Sequence, residues 1–178
     1  MIMEVTFAGS GGQGVVTSGN VFAYICAESG YEVLWTPAYG GQMRGGKAYS
    51  TVIFSHEPIY EPMMSKLDVL VAMNEPSLDF CELLKDDGIL IVNSDVVSRD
   101  VEIKTKAKQV WLPVNSLADQ VNAPKAANIV SVGKVVHELG MSQKQAGEII
   151  CKIFERNGKG KFNESNMRAF NAGYDYTE

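Results

Sequence analysis

Phe7-Ala8-Gly9-Ser10-Gly11-Gly12-Gln13-Gly14-Val15 is the stretch on which the reading of this chain turns. A short apolar strand, Met3 to Phe7, runs into it, and an apolar segment with helical spacing, Val15 to Ala27, leaves it. Four glycines within residues 9–14, between a strand and a helix, mean that the backbone turns tightly or is closely approached. Amides at a helix N-terminus attract anions, so one reading is a phosphate cradle. The other is a strand-to-helix turn whose glycines let the helix pack on a sheet. The turn alone leaves both open.

Working outward, Val15, Gly19, Phe22, Ala23 and Cys26 recur at one-face helical spacing, with Gly19 and Ala23 small enough for close approach to a sheet. Gly30 stops that helix, and Tyr31 to Trp35 reads as the second strand. A second glycine-rich loop follows, Pro37-Ala38-Tyr39-Gly40-Gly41-Gln42-Met43-Arg44-Gly45-Gly46, leading into a strand from Lys47 to Phe54. That connection is too short and too glycine-rich for a helical crossover, so the third strand is antiparallel or displaced.

Asp68 to Met73 is a nearly continuous apolar run, the signature of a buried central strand. Asn74 should cap a helix reaching about Leu84. Lys85-Asp86-Asp87-Gly88 reads as a turn, and Ile89 to Val92 as the next buried strand. Ser94 to Lys108 is polar and aperiodic. Gln109 to Pro113 reads as a further strand, with a short helix from about Ser116 to Val121. The C-terminal third is helical: Lys125 to Leu139, a segment capped by Ser142 with Gln145 reaching back, and a last helix capped by Asn163 and ending near Ala172. The expectation is one α/β domain over residues 1–178, a three-layer α/β/α arrangement with a mixed, mostly parallel sheet and a helical C-terminal portion.

The formal net charge of −5 and the lack of a basic stripe argue against a nucleic-acid partner. No run of 18 apolar residues occurs, and Met1-Ile2-Met3-Glu4 lacks the basic start of a signal peptide, so a cytoplasmic protein without a membrane partner is expected. Cys26, Cys81 and Cys151 are far apart and set in apolar surroundings, which reads as buried thiols rather than a metal or cluster site. His56 and His137 are isolated.

Three enzyme readings of the glycine turn fail on missing residues. Gly9 and Gly14 have P-loop spacing, but Val15-Val16 stands where Lys-Ser/Thr would hold the phosphates and magnesium. Gly9, Gly11 and Gly14 match a dinucleotide fingerprint, yet the strand expected to end on a ribose-binding acid ends Leu34-Trp35-Thr36. No G-x-S-x-G and no cysteine near a histidine suggests a self-contained catalyst. Arg44 stands apart as a strong cation among glycines. It could clamp a phosphate or carboxylate, or tie its loop to another strand or subunit.

Taken in order, "GSGGQG" opening a helix, "PAYGGQMRGG" entering a strand, "NIVSVG" at Asn128 to Gly133 and "NMRAFNAG" at Asn166 to Gly173 resemble the gamma subunit of 2-oxoacid:ferredoxin oxidoreductases over roughly residues 3–173. The resemblance implies a subunit, inactive alone, of a complex that decarboxylates a 2-oxoacid oxidatively to acyl-coenzyme A and reduces ferredoxin. It places thiamine diphosphate and iron–sulfur clusters on partners: thiamine-binding alpha and beta subunits and a ferredoxin-like delta subunit. It associates this chain with assembly and coenzyme A positioning, with no catalytic residue or metal of its own. Gly9, Gly11, Gly12, Gln13, Gly14, Tyr39, Gly40, Arg44, Gly45 and Gly46 carry over as candidate cofactor-facing residues. Gly41-Gln42 departs from relatives that have a proline and an acid there. The absence of a fused thiamine or ferredoxin module points to the separate-subunit form. The indolepyruvate oxidoreductase beta subunit shares the pattern, and a stand-alone dinucleotide-binding module is the reading from another class.

Overall fold

The computed structural model describes residues 2–40, 46–60 and 66–178. Its strands are β1 (Ile2–Ser10), β2 (Glu32–Tyr39), β3 (Lys47–Ser55), β4 (Leu67–Ala72), β5 (Leu84–Asn93) and β6 (Lys108–Leu112). Its α-helices are α1 (Val15–Glu28), α2 (Val114–Gln120), α3 (Ala127–Glu138), α4 (Gln143–Arg156) and α5 (Asn163–Asp175). 3-10 helices cover Glu75–Leu83, Pro124–Ala126 and Gly160–Phe162.

The strands form one sheet in the order β2-β3-β1-β4-β5-β6. β3 is antiparallel to both β1 and β2, whereas β1, β4, β5 and β6 run parallel, so the sheet is mixed and mostly parallel. Alternation along the strands sends side chains to two cores. Val5 and Phe7 of β1, Val69 and Val71 of β4 and Ile91 of β5 join the core against the five α-helices. Ala8, Leu70, Ala72, Leu90 and Val92 face the other way, under Leu78 and Phe80 of the first 3-10 helix and Val97 and Ala107 of the 94–107 connection.

The first helix packs as its spacing predicts. Val15, Gly19, Phe22, Ala23 and Cys26 are all buried. A Cβ on Gly19 would collide with Ser50 Oγ, the oxygen that accepts the 2.7 Å bond from Trp35 Nε1. Here the glycine is what lets α1 lie on the β2–β3 hairpin.

Several boundaries differ from the sequence expectation. The second strand runs on to Tyr39 through Pro37, which pairs with Ser50 on the outer edge of the sheet, where a missing N–H costs no ladder bond. Lys85-Asp86-Asp87-Gly88 is not a turn between elements but a bulge within β5: Leu67 faces Leu84, and Val69 already faces Ile89. Lys85 Nζ meets Asp68 Oδ1 across that bulge at 2.6 Å. The helix after Asn74 is 3-10, and Asn74 does cap it, accepting from Ser77 N at 3.1 Å. α2 begins at Val114, before the expected Ser116. The helix expected from Lys125 enters through the 3-10 turn Pro124–Ala126 before α3 proper. Ser142 caps α4 through Gln145 N. Asn163 is no cap: it lies inside α5 and its Nδ2 donates to Cys151 O at 3.3 Å, tying α5 to α4.

Candidate functional site

β1 and β4 lie side by side and parallel, but the chain leaves them in opposite directions: β1 leads through α1 to the β2 side, β4 through a 3-10 helix to β5. Open α/β sheets bind ligands in the crevice beyond the strand C-termini at such a switch point. In this chain that point is filled from within. Gln13 Oε1 accepts from Ser10 N at 2.7 Å and from Asn74 Nδ2 at 3.2 Å, while Gln13 Nε2 donates to Met73 O at 3.1 Å. Asn74 Nδ2 also donates to Ser10 Oγ at 2.7 Å.

This network accounts for the turn's composition. A Cβ on Gly9 would stand 2.7 Å from Gln13 Oε1, and one on Gly14 would stand 2.8 Å from Asn128 Cβ. Gly12 is different: φ is 97°, and among the described residues nothing lies within 4 Å of the place its Cβ would take. Two further amides are committed to backbone carbonyls, Gly11 N to Gly46 O at 3.2 Å and Gln13 N to Ser10 O at 3.1 Å. The turn is thus a closed bracket with one open glycine.

The Gly11–Gly46 bond also joins the first glycine turn to the β2–β3 hairpin. Gly40 N donates to Lys47 O at 2.6 Å, closing the hairpin stem, and Tyr39 beside it is 69% exposed. Lys47 pairs with Asp79 at 2.6 Å and Tyr49 packs on Phe80 with centroids 5.0 Å apart, fixing the hairpin on the first 3-10 helix. Arg44 and Gly45, with Gly41 and Gln42, lie outside the described residues. The candidates at Gly9, Gly11, Gly12, Gln13, Gly14 and Gly46 therefore come together, with Tyr39 and Gly40 along the adjoining stem.

Behind the turn opens a cleft of about 820 Å³, walled by Gly12, Gln13, Gly14 and Thr17 on one side and by the 122–129 segment and the start of α5 on the other. Among the described residues its charged lining is Lys125 and Lys159, with no carboxylate. Asn166, 5% exposed, is part of the wall, and its Nδ2 has no hydrogen-bond partner among the described residues. Leaving a buried donor unmatched costs about 1–3 kcal/mol. Arg168 supports the far wall, donating from Nε to Val121 O at 2.8 Å and from Nη2 to Asn122 O at 3.3 Å, where Asn122 takes φ 54°. The two lysines carried no signal in the sequence. Asn128 and Asn166 did, since each opens one of the recognised motifs.

Thiol chemistry has no footing here. Burial pushes the Cys26 thiol far up, and burial with the Asp79 charge raises Cys81 to about 11. Among the described residues no group of three or more His, Cys, Asp or Glu could hold a metal ion. His137 packs edge-on against Tyr174 at 5.0 Å in the last turn of α3. No helix among the described residues is long and apolar enough to cross a membrane.

The family Pyruvate ferredoxin/flavodoxin oxidoreductase matches residues 4–176. The chain belongs to this family. It is 30% identical to the 2-oxoglutarate synthase subunit KorC of Methanocaldococcus jannaschii, over 98% of this chain and 94% of that one. It is 32% identical to the ketoisovalerate oxidoreductase subunit VorA of Methanothermobacter marburgensis, over 98% of this chain but 36% of VorA, so it spans about a third of that relative. The crystal structure of the keto/oxoacid ferredoxin oxidoreductase gamma subunit from Geobacter sulfurreducens superposes with a TM-score of 0.84 at 27% identity, covering 98% of this chain and 95% of that one.

In this pyruvate ferredoxin/flavodoxin oxidoreductase family chain the two C-terminal motifs are first of all packing motifs. A Cβ on Gly133 would collide with Phe170 O, and one on Gly173 with Val130 O. The two glycines bring the α3 and α5 backbones into contact, which presents Asn128 and Asn166 together on the cleft.

Proposed function

We propose that this chain is the gamma component of a multi-subunit 2-oxoacid:ferredoxin oxidoreductase. The observation that carries the reading is the end-to-end match to KorC together with the gamma-subunit fold. The complex would convert a 2-oxoacid and coenzyme A to acyl-coenzyme A and carbon dioxide, passing two electrons singly to ferredoxin. Thiamine diphosphate, when bound on partner subunits, supplies the carbanion chemistry, and clusters on partner subunits carry the electrons. The donors of this chain do not fit a cluster: Cys26 is buried on the inner face of α1, and Cys81 and Cys151 sit half-buried on separate elements.

In that assembly Gly11, Gly12, Gln13, Gly14, Tyr39, Gly40 and Gly46, with Arg44 and Gly45 and over buried Gly9, would form the surface turned toward the catalytic subunits and help position coenzyme A. The rigid Gln13–Asn74 bracket holds the surface in shape, and exposed Tyr39 offers an anchor. Holding the thiol near the acyl donor contributes several kcal/mol through proximity alone. As for fit, the turn's amides at Ser10, Gly11 and Gln13 are already bonded, so coenzyme A phosphates would meet Gly12 and the cations rather than a nest of free N–H groups.

Purification of the native complex through a tag on this chain tests the reading. Recovery of thiamine- and cluster-bearing subunits is the expected result. A chain that purifies alone and oxidises a 2-oxoacid by itself, or that binds NAD tightly, overturns it. In the assembled complex Arg44→Ala should raise the KM for coenzyme A; if assembly fails instead, Arg44 serves the interface.

A further inference from the structure

We infer that the segment after α5, Tyr176 to Glu178, is a latch that seals the open edge of β6, and that its release lets β6 pair with the β6 of a second copy of this chain. β6 ends the sheet on one side, and no described strand lies beyond it. An unpaired edge presents N–H and C=O groups ready to take another strand. Ser94 N donates to Leu112 O at 3.0 Å, which turns the backbone of Leu112 toward β5 and that of Trp111 away from it. Trp111 N donates instead to Glu178 Oε2 at 3.3 Å, so a side-chain carboxylate stands where the carbonyl of an added strand would come. Backbone groups alternate in direction along a strand, so Gln109 shares the outward orientation, while Pro113 has no N–H to offer. The latch thus takes one of the two N–H donors that β6 turns outward.

The latch is fastened at both ends. Buried Lys134 donates from Nζ to Tyr176 O at 3.0 Å, and Arg99 Nη2 meets Glu178 Oε1 at 2.6 Å. Arg99 also lies over the Trp111 ring, 5.1 Å from its centroid, so one guanidinium ties the latch to the residue whose amide it covers. The hydrogen bond from Arg99 holds the Glu178 carboxyl below the usual carboxylate range, and the acceptor is an anion at neutral pH. Natural sheets often guard an edge with lysine. In β6 that lysine is engaged elsewhere: Lys108 Nζ is drawn to Glu138 Oε2 on α3 at 2.7 Å. Val110-Trp111-Leu112, the rest of the strand, is apolar and strand-forming. With the latch away, two such edges related by a two-fold axis run antiparallel and offer each other the same groups, which makes a second copy the matching partner.

Amide hydrogen exchange and light scattering on the full chain test both halves of the inference. In dilute solution Glu178→Ala should speed exchange of the Trp111 amide about tenfold or more, because its acceptor is gone. As the concentration of that variant rises, its mass should climb from the wild-type value toward twice it, and the Gln109 and Trp111 amides should become protected as strand pairing covers them. Glu178→Gln keeps an oxygen for Trp111 N and should hold the wild-type mass at the same concentrations. Glu178 lies at the surface, and an unchanged circular dichroism spectrum confirms that each variant is folded. Unaltered Trp111 exchange in Glu178→Ala overturns the latch. A wild-type mass at every concentration despite an exposed amide, a doubling that leaves Gln109 and Trp111 unprotected, or an equal doubling in Glu178→Gln overturns the sealing of β6 against a second copy.

Discussion

Gly133 and Gly173 set two residue-level rules against each other. Both lie inside helices, where alanine is favoured over glycine by about 1 kcal/mol. Both also sit where a Cβ would enter a carbonyl of the facing helix. Overpacking of a rigid contact costs typically ~1–3 kcal/mol and more against backbone, so packing wins and Gly133→Ala should destabilise the fold by at least ~2 kcal/mol in urea titration. A stabilised variant would show that α3 and α5 can separate freely. Glu138 poses a similar contest. Burial pushes its carboxyl up, but hydrogen bonds from Lys108 and Lys134 outweigh that and hold it below the usual carboxylate range. It meets Lys134 at 2.9 Å and Lys108 at 2.7 Å, with Lys134 only 5% exposed and donating also to Tyr176 O at 3.0 Å. Glu138→Gln leaves a buried ammonium without its counter-charge and should cost about 3–5 kcal/mol. Because the folded pKa is lowered, the carboxylate's contribution is complete above its unfolded pKa of about 4.3 and is lost as pH falls through the folded value. The difference between wild type and Glu138→Gln should therefore narrow on acidification below about pH 4.3, as followed by chemical denaturation.

At the scale of elements, the glycine turn, the start of the first 3-10 helix and the end of β1 act as one unit through Gln13 and Asn74. Gln13→Ala leaves Ser10 N without that acceptor and should cost ~1–3 kcal/mol, with faster amide exchange at residues 10–14 and little change in α4. Uniform loss of protection over the whole chain would show that the bracket is not a local unit. The hairpin β2–β3 illustrates why the sequence reading of its ends fell short. Pro37 and the glycine-rich sequence after it look like loop, and only pairing along the edge with residues 48–50 keeps Pro37, Ala38 and Tyr39 in the strand. The bulge in β5 has the same origin: Asp86-Asp87-Gly88 is turn chemistry, spent here on a detour inside a strand. Asn163 had the residue type of a cap, but the carbonyl of Cys151 on a neighbouring helix competes for its side chain.

Across the whole molecule, Trp35 and Trp111 mark opposite edges of the sheet, in β2 and β6; Trp35 packs against the helical core, which Val110 and Leu112 of β6 also join, and Trp111 lies in the core on the other face. Unfolding followed by tryptophan fluorescence and by far-ultraviolet circular dichroism should coincide; a separate early phase in Trp35→Phe or Trp111→Phe would reveal that the antiparallel half melts alone. What the sequence determined by itself was local and patterned. Apolar runs and helical spacing placed the central strands and α1, the short glycine-rich connection before Lys47 called for an antiparallel or displaced neighbour, and the ordered motifs carried the family. These are legible because period, length and turn chemistry act between residues close in the chain. The functional geometry was partly visible: Gly9 to Gly14 and Gly46 do meet, and the two Asn-led motifs do flank one cleft. Tertiary structure alone decided that Gln13 fills the switch point, that Gly133 and Gly173 serve a helix crossing, and that Lys125 and Lys159 face the open Gly12. Each of those facts depends on which backbone lies within a few ångströms of which side chain across more than thirty positions of sequence, and no residue carries that distance in its own type.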